Sequence, residues 1–272
     1  IILSENRPFS METAACDEEY EPSSEYDSSF ALQIFAAREA VFKILAKESL
    51  SIHEKLIVIL DMGSKIQQCI NTDEYDNIKS VVNDYLKEGI AHTLDETRNL
   101  SDSGQFEDIS LQQGIRQILY PYEEMEVLNP EWEVILKDII DSLFEQMSDE
   151  EYNILNEEFG TYMVSRAYEY RQLLEYLVFR YFAKSIYDYD FLGKCQMLVT
   201  NFFVIRQMDI IRWLDNHREY SFKDRMDVVH IFSRQVEYSE DNIENIYEDF
   251  IFDDIFKTDS LIAILWIDSE NI

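Results

Sequence analysis

The chain predicts an all-α fold, an irregular multi-helix bundle with a long central helix pair, and three observations carry that prediction. Apolar residues recur at helical spacing along most of the sequence, and no alternating strand pattern persists. Only 6 glycines and 4 prolines occur in 272 residues, so few positions interrupt a helix. Helix-start signals, a Ser or Asn followed by an acid or a proline, precede several of the apolar runs.

Taken in order, residues 1–29 carry Pro8, Pro22, many acids and serines and no sustained period, which predicts an extended or poorly ordered acidic arm. Ser29 then caps a helix with Phe30, Ile34, Ala37, Val41 and Leu45 on one face. Ser51 and Glu54 form a capping box for a second helix to about residue 71. A third turns Ile78, Val81, Val82, Tyr85 and Leu86 inward and is expected to stop at Gly89. Residues 90–105 lose the period and hold Gly104, so a linker is expected there, closing an N-terminal helical subdomain over 30–105. The main helical domain then covers 106–272.

That domain opens with a helix over 109–120 that should end before Pro121. Asn129 followed by Pro130 reads as an N-cap and first helical position, starting a helix to about residue 147. Ser148 and Glu151 make a second capping box, opening a long stretch to about residue 187 with Gly160 as its point of weakness. Residues 190–216 are apolar on three sides, which places that helix centrally. Ser221 with Asp224 caps the next helix, and Ser239 starts an acidic one to about residue 256. The apolar run 261–267 suits a docking helix or a strand.

Composition excludes several functions. Neither Gly-x-Gly-x-x-Gly nor a P-loop occurs. A formal net charge of −32 disfavours nucleic acid and anionic membrane surfaces as partners. The same field attracts a basic protein or a lysine-bearing substrate, and otherwise keeps the chain in solution. No run reaches the roughly 20 apolar residues a membrane span needs. Cys16, Cys69 and Cys195 form no motif, which fits a reducing, cytoplasmic setting. No second histidine or cysteine lies at ligand spacing, so no metal site is expected.

Charged residues nevertheless sit inside the apolar runs of 173–242. Arg206, Asp209 and Arg212 are spaced i, i+3, i+6, so both arginines can pair with the acid. Such a set can orient a cationic amine or grip a carboxylate, or it can be a structural ion network. His230, Arg234 and Glu237 share one arc of the next helix, with Asp227 and Tyr238 beside them. That arc is either a solvated face or, if it meets the Arg206–Arg212 helix, one wall of a polar cleft. Eight tyrosines fall between Tyr152 and Tyr189, Tyr181 among them, and suit either an aromatic channel for an alkylammonium or ordinary packing.

Three segments also carry a family likeness: YLVFRYFAKSIYDYD from Tyr176, then VIRQMDIIRWL, then VVHIFSRQVEYSEDNIENIYE. They resemble the C-terminal half of the bacterial flagellin lysine-N-methylases, most specifically at Ser233, Arg234, Glu237, Tyr238, Ser239 and Asn242. The segment 37–67 is similar to earlier helices of the same half. The resemblance implies a protein-lysine N-methyltransferase that uses S-adenosylmethionine and acts on flagellin. It also implies an N-terminal cysteine-rich segment suited to an iron–sulfur cluster, which this chain does not carry. Methyl transfer needs a neutral amine, close approach and excluded water, with a group to take the proton. Tyr181 and Asp209 are the expected catalytic groups, and Arg206, Arg212, His230, Arg234 and Glu237 the expected substrate or cofactor contacts. The alternative is a non-catalytic helical domain that docks a basic or flagellar partner.

Overall fold

The computed structural model describes residues 28–102 and 109–270. Its helices are α1 (Ser28–Leu45), α2 (Ile52–Asn71), α3 (Ile78–Asp84), α4 (Ile90–Asp102), α5 (Leu111–Glu123), α6 (Pro130–Ile139), α7 (Asp149–Met163), α8 (Ala167–Tyr181), α9 (Ser185–Asp188), α10 (Phe191–Asp215), α11 (Phe222–Phe232), α12 (Glu240–Phe252) and α13 (Thr258–Glu270). Among the described residues there is no strand, so the apolar run 261–267 is helical. The arm expected at 1–29 lies outside the described residues except for Ser28 and Ser29, which already belong to α1.

Two compact units are present, and the chain passes between them more than once. One contains the residues to Leu94 together with Arg166–Cys195; the other contains Asp95–Ser165 and Gln196–Ile272. The first change of unit, between Leu94 and Asp95, falls inside the expected division at 90–105, but the later boundaries and the expected linker do not match. Residues 90–102 are helix, and 166–195 belongs with the N-terminal helices although it is distant in sequence.

In the first unit, Phe30, Ile34, Ala37, Val41 and Leu45 of α1 are buried, as the helical period requires. Leu56, Ile57, Val58, Ile59 and Leu60 of α2 are all fully buried, so this stretch of α2 is enclosed on every side. Its capping box is formed: Glu54 N–H donates to Ser51 Oγ at 3.1 Å, and Ser51 N–H to Glu54 at 2.8 Å. Gly63 is required here, because a Cβ would meet Cys195 Sγ at 2.5 Å. Gln67 serves α10: its Oε1 accepts from Phe191 and Leu192 N–H at 2.8 and 3.1 Å, occupying donors that no helical carbonyl reaches.

The third helix does not stop at Gly89. A π turn, Tyr85–Gly89, carries the chain on into α4. Asp61 supplies the reason, since its carboxylate accepts from both Tyr85 on the near side of Gly89 and Thr93 on the far side, the latter at 2.9 Å. One acid of α2 so fastens both ends of the weak turn. Burial, then the Asp61 hydrogen bond, push the Tyr85 phenol up to about 12.

In the second unit, Pro121 lies inside α5 instead of ending it. Tyr122 holds that last turn: it is fully buried, and its hydroxyl lies 3.0 Å from Thr200 and 2.7 Å from Asn201. Trp132 Nε1 donates to the Tyr122 carbonyl at 3.4 Å. Tertiary packing thus overrides proline's preference in the final turn, where only one backbone bond is at stake. The stretch after Ser148 breaks at the 3-10 turn Val164–Arg166, whereas Gly160 stays helical and buried. The capping boxes at Ser148 and Ser221 and the Asn129 cap are all formed.

Candidate functional site

The second unit holds a cavity of about 490 Å³ walled by three helices. From α6 come Glu131, Val134, Ile135 and Asp138, preceded by the cap residue Asn129. The end of α10 gives Ile211, Arg212 and Asp215. Asp227, His230, Ile231 and Arg234 come from α11 and the turn after it. The α6 and α11 sets share one pattern, i, i+3, i+4, i+7, which is the signature of a single helix face. In each, the isoleucine at i+4 is buried and the outer positions are polar, so the cavity has an apolar wall and a charged margin.

Four carboxylates (Glu131, Asp138, Asp215, Asp227) stand against the guanidiniums of Arg212 and Arg234. The cavity therefore favours a cation, as does the chain as a whole. At the start of α11, burial pushes the Asp224 carboxyl up, but the Ser221 hydroxyl and N–H, Asn216 and the Arg212 guanidinium outweigh it and hold Asp224 below the usual range.

The loop that delivers Asn129 is strapped from behind. Gln235 Oε1 accepts from Leu128 and Asn129 N–H at 2.9 and 3.2 Å, and its amide donates to the Glu126 carbonyl at 2.6 Å. Asn242 adds bonds to Glu126 N–H and to the carbonyls of Glu126 and Gln235, at 3.0, 3.1 and 3.1 Å. Asn129 Oδ1 then accepts from Glu131 N–H at 3.1 Å and starts α6.

Of the residues expected to act together, Arg212, His230 and Arg234 meet in this cavity. Arg206 and Asp209, on the same helix as Arg212, go elsewhere. Asp209 is fully buried and takes Arg225 Nη1 at 2.5 Å and the Tyr220 hydroxyl. Arg206 is 3 % exposed, lies 3.5 Å from Asp268, and donates to the Asn156 carbonyl at 3.1 Å. Asn156 donates in turn to Asp268. The expected Arg206–Asp209–Arg212 set is thus corrected to two buried clusters whose partners come from α7, α11, α13 and the loop before α11. Spacing along one helix could not reveal those partners.

Tyr181 is 2 % exposed and lies in the first unit, whereas Asp209 and the cavity lie in the second. Glu237, half-buried in the π turn Ser233–Glu237, does not line the cavity. The eight tyrosines are divided too, with Tyr152 and Tyr162 in the second unit and the other six in the first. Sequence reasoning missed Glu131, Asp138, Asp215 and the cap residue's cavity position. The repeated i, i+3, i+4, i+7 pattern in 131–138 and 227–234 was the available signal.

Among the described residues no group of three or more His, Cys, Asp or Glu is placed to hold a metal ion. Cys69 and Cys195 are buried, and Cys16 lies outside the described residues. These residues do not fit an iron–sulfur cluster. No described helix is long and apolar enough to cross a membrane.

The fold and the cavity define an all-helical domain with a cation-favouring site. Residues 38–264 match the family model described as the FliB lysine N-methylase C-terminal domain, and the chain belongs to that family. No curated protein and no solved structure matches it.

Proposed function

We propose that this chain takes part in transferring a methyl group from S-adenosylmethionine to lysine side chains of flagellin, and that the three-helix cavity receives the lysine. The observation that carries this reading is the convergence of Glu131, Asp138, Asp215 and Asp227 on one cavity in a chain of this family. A lysine enters as an ammonium, which the carboxylates draw in and orient through charge and hydrogen bonds. The isoleucine wall takes the methylene chain and keeps water from it. His230 lines the cavity, and in this reading it accepts the ammonium proton, freeing the nitrogen lone pair. The same carboxylates are the residues that would hold a sulfonium, and the cofactor when bound supplies the methyl carbon. His230 would then hold the proton taken from the amine and pass it to solvent.

Transfer of labelled methyl from S-adenosylmethionine to cognate flagellin by the native full-length protein tests this. Lysine labelling that falls at least about tenfold in Asp138→Asn is the expected result. Flagellin binding without any transfer would leave a docking role, which the net charge of −32 also suits.

A further inference from the structure

The cavity wall contains two donors for which lysine capture by carboxylates has no use. Asn129 is 8 % exposed, and its Oδ1 is occupied as the α6 cap by Glu131 N–H at 3.1 Å. Its Nδ2 is buried with no protein acceptor. Arg212 Nε is likewise buried with no protein acceptor. Both residues line the cavity. Buried donors are nearly always paired in folded proteins, because an unpaired one forfeits its hydration. The position of Asn129 is also tightly set, by its own cap bond and by Gln235 and Asn242 behind it.

We propose that Asn129 Nδ2 and Arg212 Nε donate to a main-chain carbonyl oxygen of the lysyl segment bound in the cavity, so that the site reads a peptide and not a bare amine. The proposal rests on the lysine-receiving reading of the same cavity. A carbonyl oxygen has two lone pairs and can accept from both donors. It carries no net charge, which matters beside four carboxylates and two guanidiniums. A ligand carboxylate would add a further negative charge to an already acidic wall. The first turn of α6, with Asn129 at its cap, adds the positive end of a helix dipole toward that oxygen. The volume accommodates a residue with its side chain, being within the usual range of small-ligand sites.

Calorimetric titration of the native protein with three probes tests the assignment: N-acetyl-lysine N-methylamide, n-butylamine and S-adenosylhomocysteine. The blocked lysine should bind about tenfold more tightly than butylamine, since only it offers carbonyls. Asn129→Asp keeps a good N-cap but replaces the donor with an acceptor, and thermal melting checks that it folds. It should weaken the blocked lysine about tenfold and leave butylamine unchanged or tighter. Arg212→Lys, which keeps the charge and removes Nε, should act in the same direction. Blocked-lysine affinity unchanged in both variants overturns the proposal. Loss of S-adenosylhomocysteine affinity alone would assign the donors to a cofactor carboxylate, overturning the proposal while leaving the lysine reading intact. If neither blocked lysine nor butylamine binds the native protein, the lysine reading itself falls and the proposal with it.

Discussion

Arg206 and Arg212 stand six residues apart on α10, about 9 Å along its axis, and they live in different chemistry. Around Arg206 and Asp209 the charges close on one another: Arg206 with Asp268 and Asn156, Asp209 with Arg225 and Tyr220, all buried. The aromatic rings of Phe159, Trp213, Tyr162 and Tyr220 pack together beside them, with ring centres 5.5 to 6.5 Å apart. Around Arg212 the charges instead border a cavity. The lesson is that polar residues within apolar sequence fall into two kinds. One kind packs against other buried groups, and the other borders open volume.

Substitutions can break or sharpen that contrast. The largest effect is expected from Asp209→Ala, which leaves Arg225 buried without its carboxylate and should cost about 3–5 kcal/mol in urea unfolding. A cost under about 1 kcal/mol would move Asp209 out of the closed set. Asp268→Ala removes the carboxylate that Arg206 and Asn156 share, and a loss of about 2–4 kcal/mol is expected by the same measurement. Ser221→Ala removes one capping oxygen at the start of α11 and should cost about 1 kcal/mol. Arg212→Ala should change stability by no more than about 0.5 kcal/mol while lowering affinity for lysyl peptides, since it borders the cavity. A stability loss matching that of Asp268→Ala would dissolve the distinction between the two groups.

The first unit offers a pH version of the closed case. Burial raises the Tyr85 phenol to about 12 when folded, above the value near 10 of an exposed tyrosine. The folded state therefore keeps the proton longer than the unfolded chain. The stability linked to it is fully present below pH 10 and is lost as pH rises from 10 to 12. Urea midpoints measured across that interval should fall more steeply for the native protein than for Tyr85→Phe.

Local chemistry was the legible part of the sequence. Ser51, Ser148, Ser221 and Asn129 each announce a helix start, the serines through an acid three positions on and Asn129 through the proline next to it, and each does start one. The central place of α10 follows from apolar residues on three of its sides. Long-range partners were not legible. Gly89 and Pro121 look like helix ends until Asp61 and Tyr122 are seen to anchor the turns they weaken. Ser239 caps α12, and Asn242 turns out to strap a loop more than a hundred residues earlier. Asp209 reads as the partner of its own helix's arginines because the sequence cannot display Arg225 one helix later. The joining of 166–195 to the N-terminal helices is of the same kind.

The π turn Ser233–Glu237 has a consequence for how tightly the site is tuned. An additional residue in one turn shifts everything after it by about 100° relative to an uninterrupted α-helix. Within the turn, adjacent residues serve different neighbours, with Arg234 lining the cavity and Gln235 holding the loop that carries Asn129. The turn works as a rotational spacer. Shortening it by one residue would rotate Arg234 and Gln235 together, drawing one from the cavity wall and the other off the 126–129 loop.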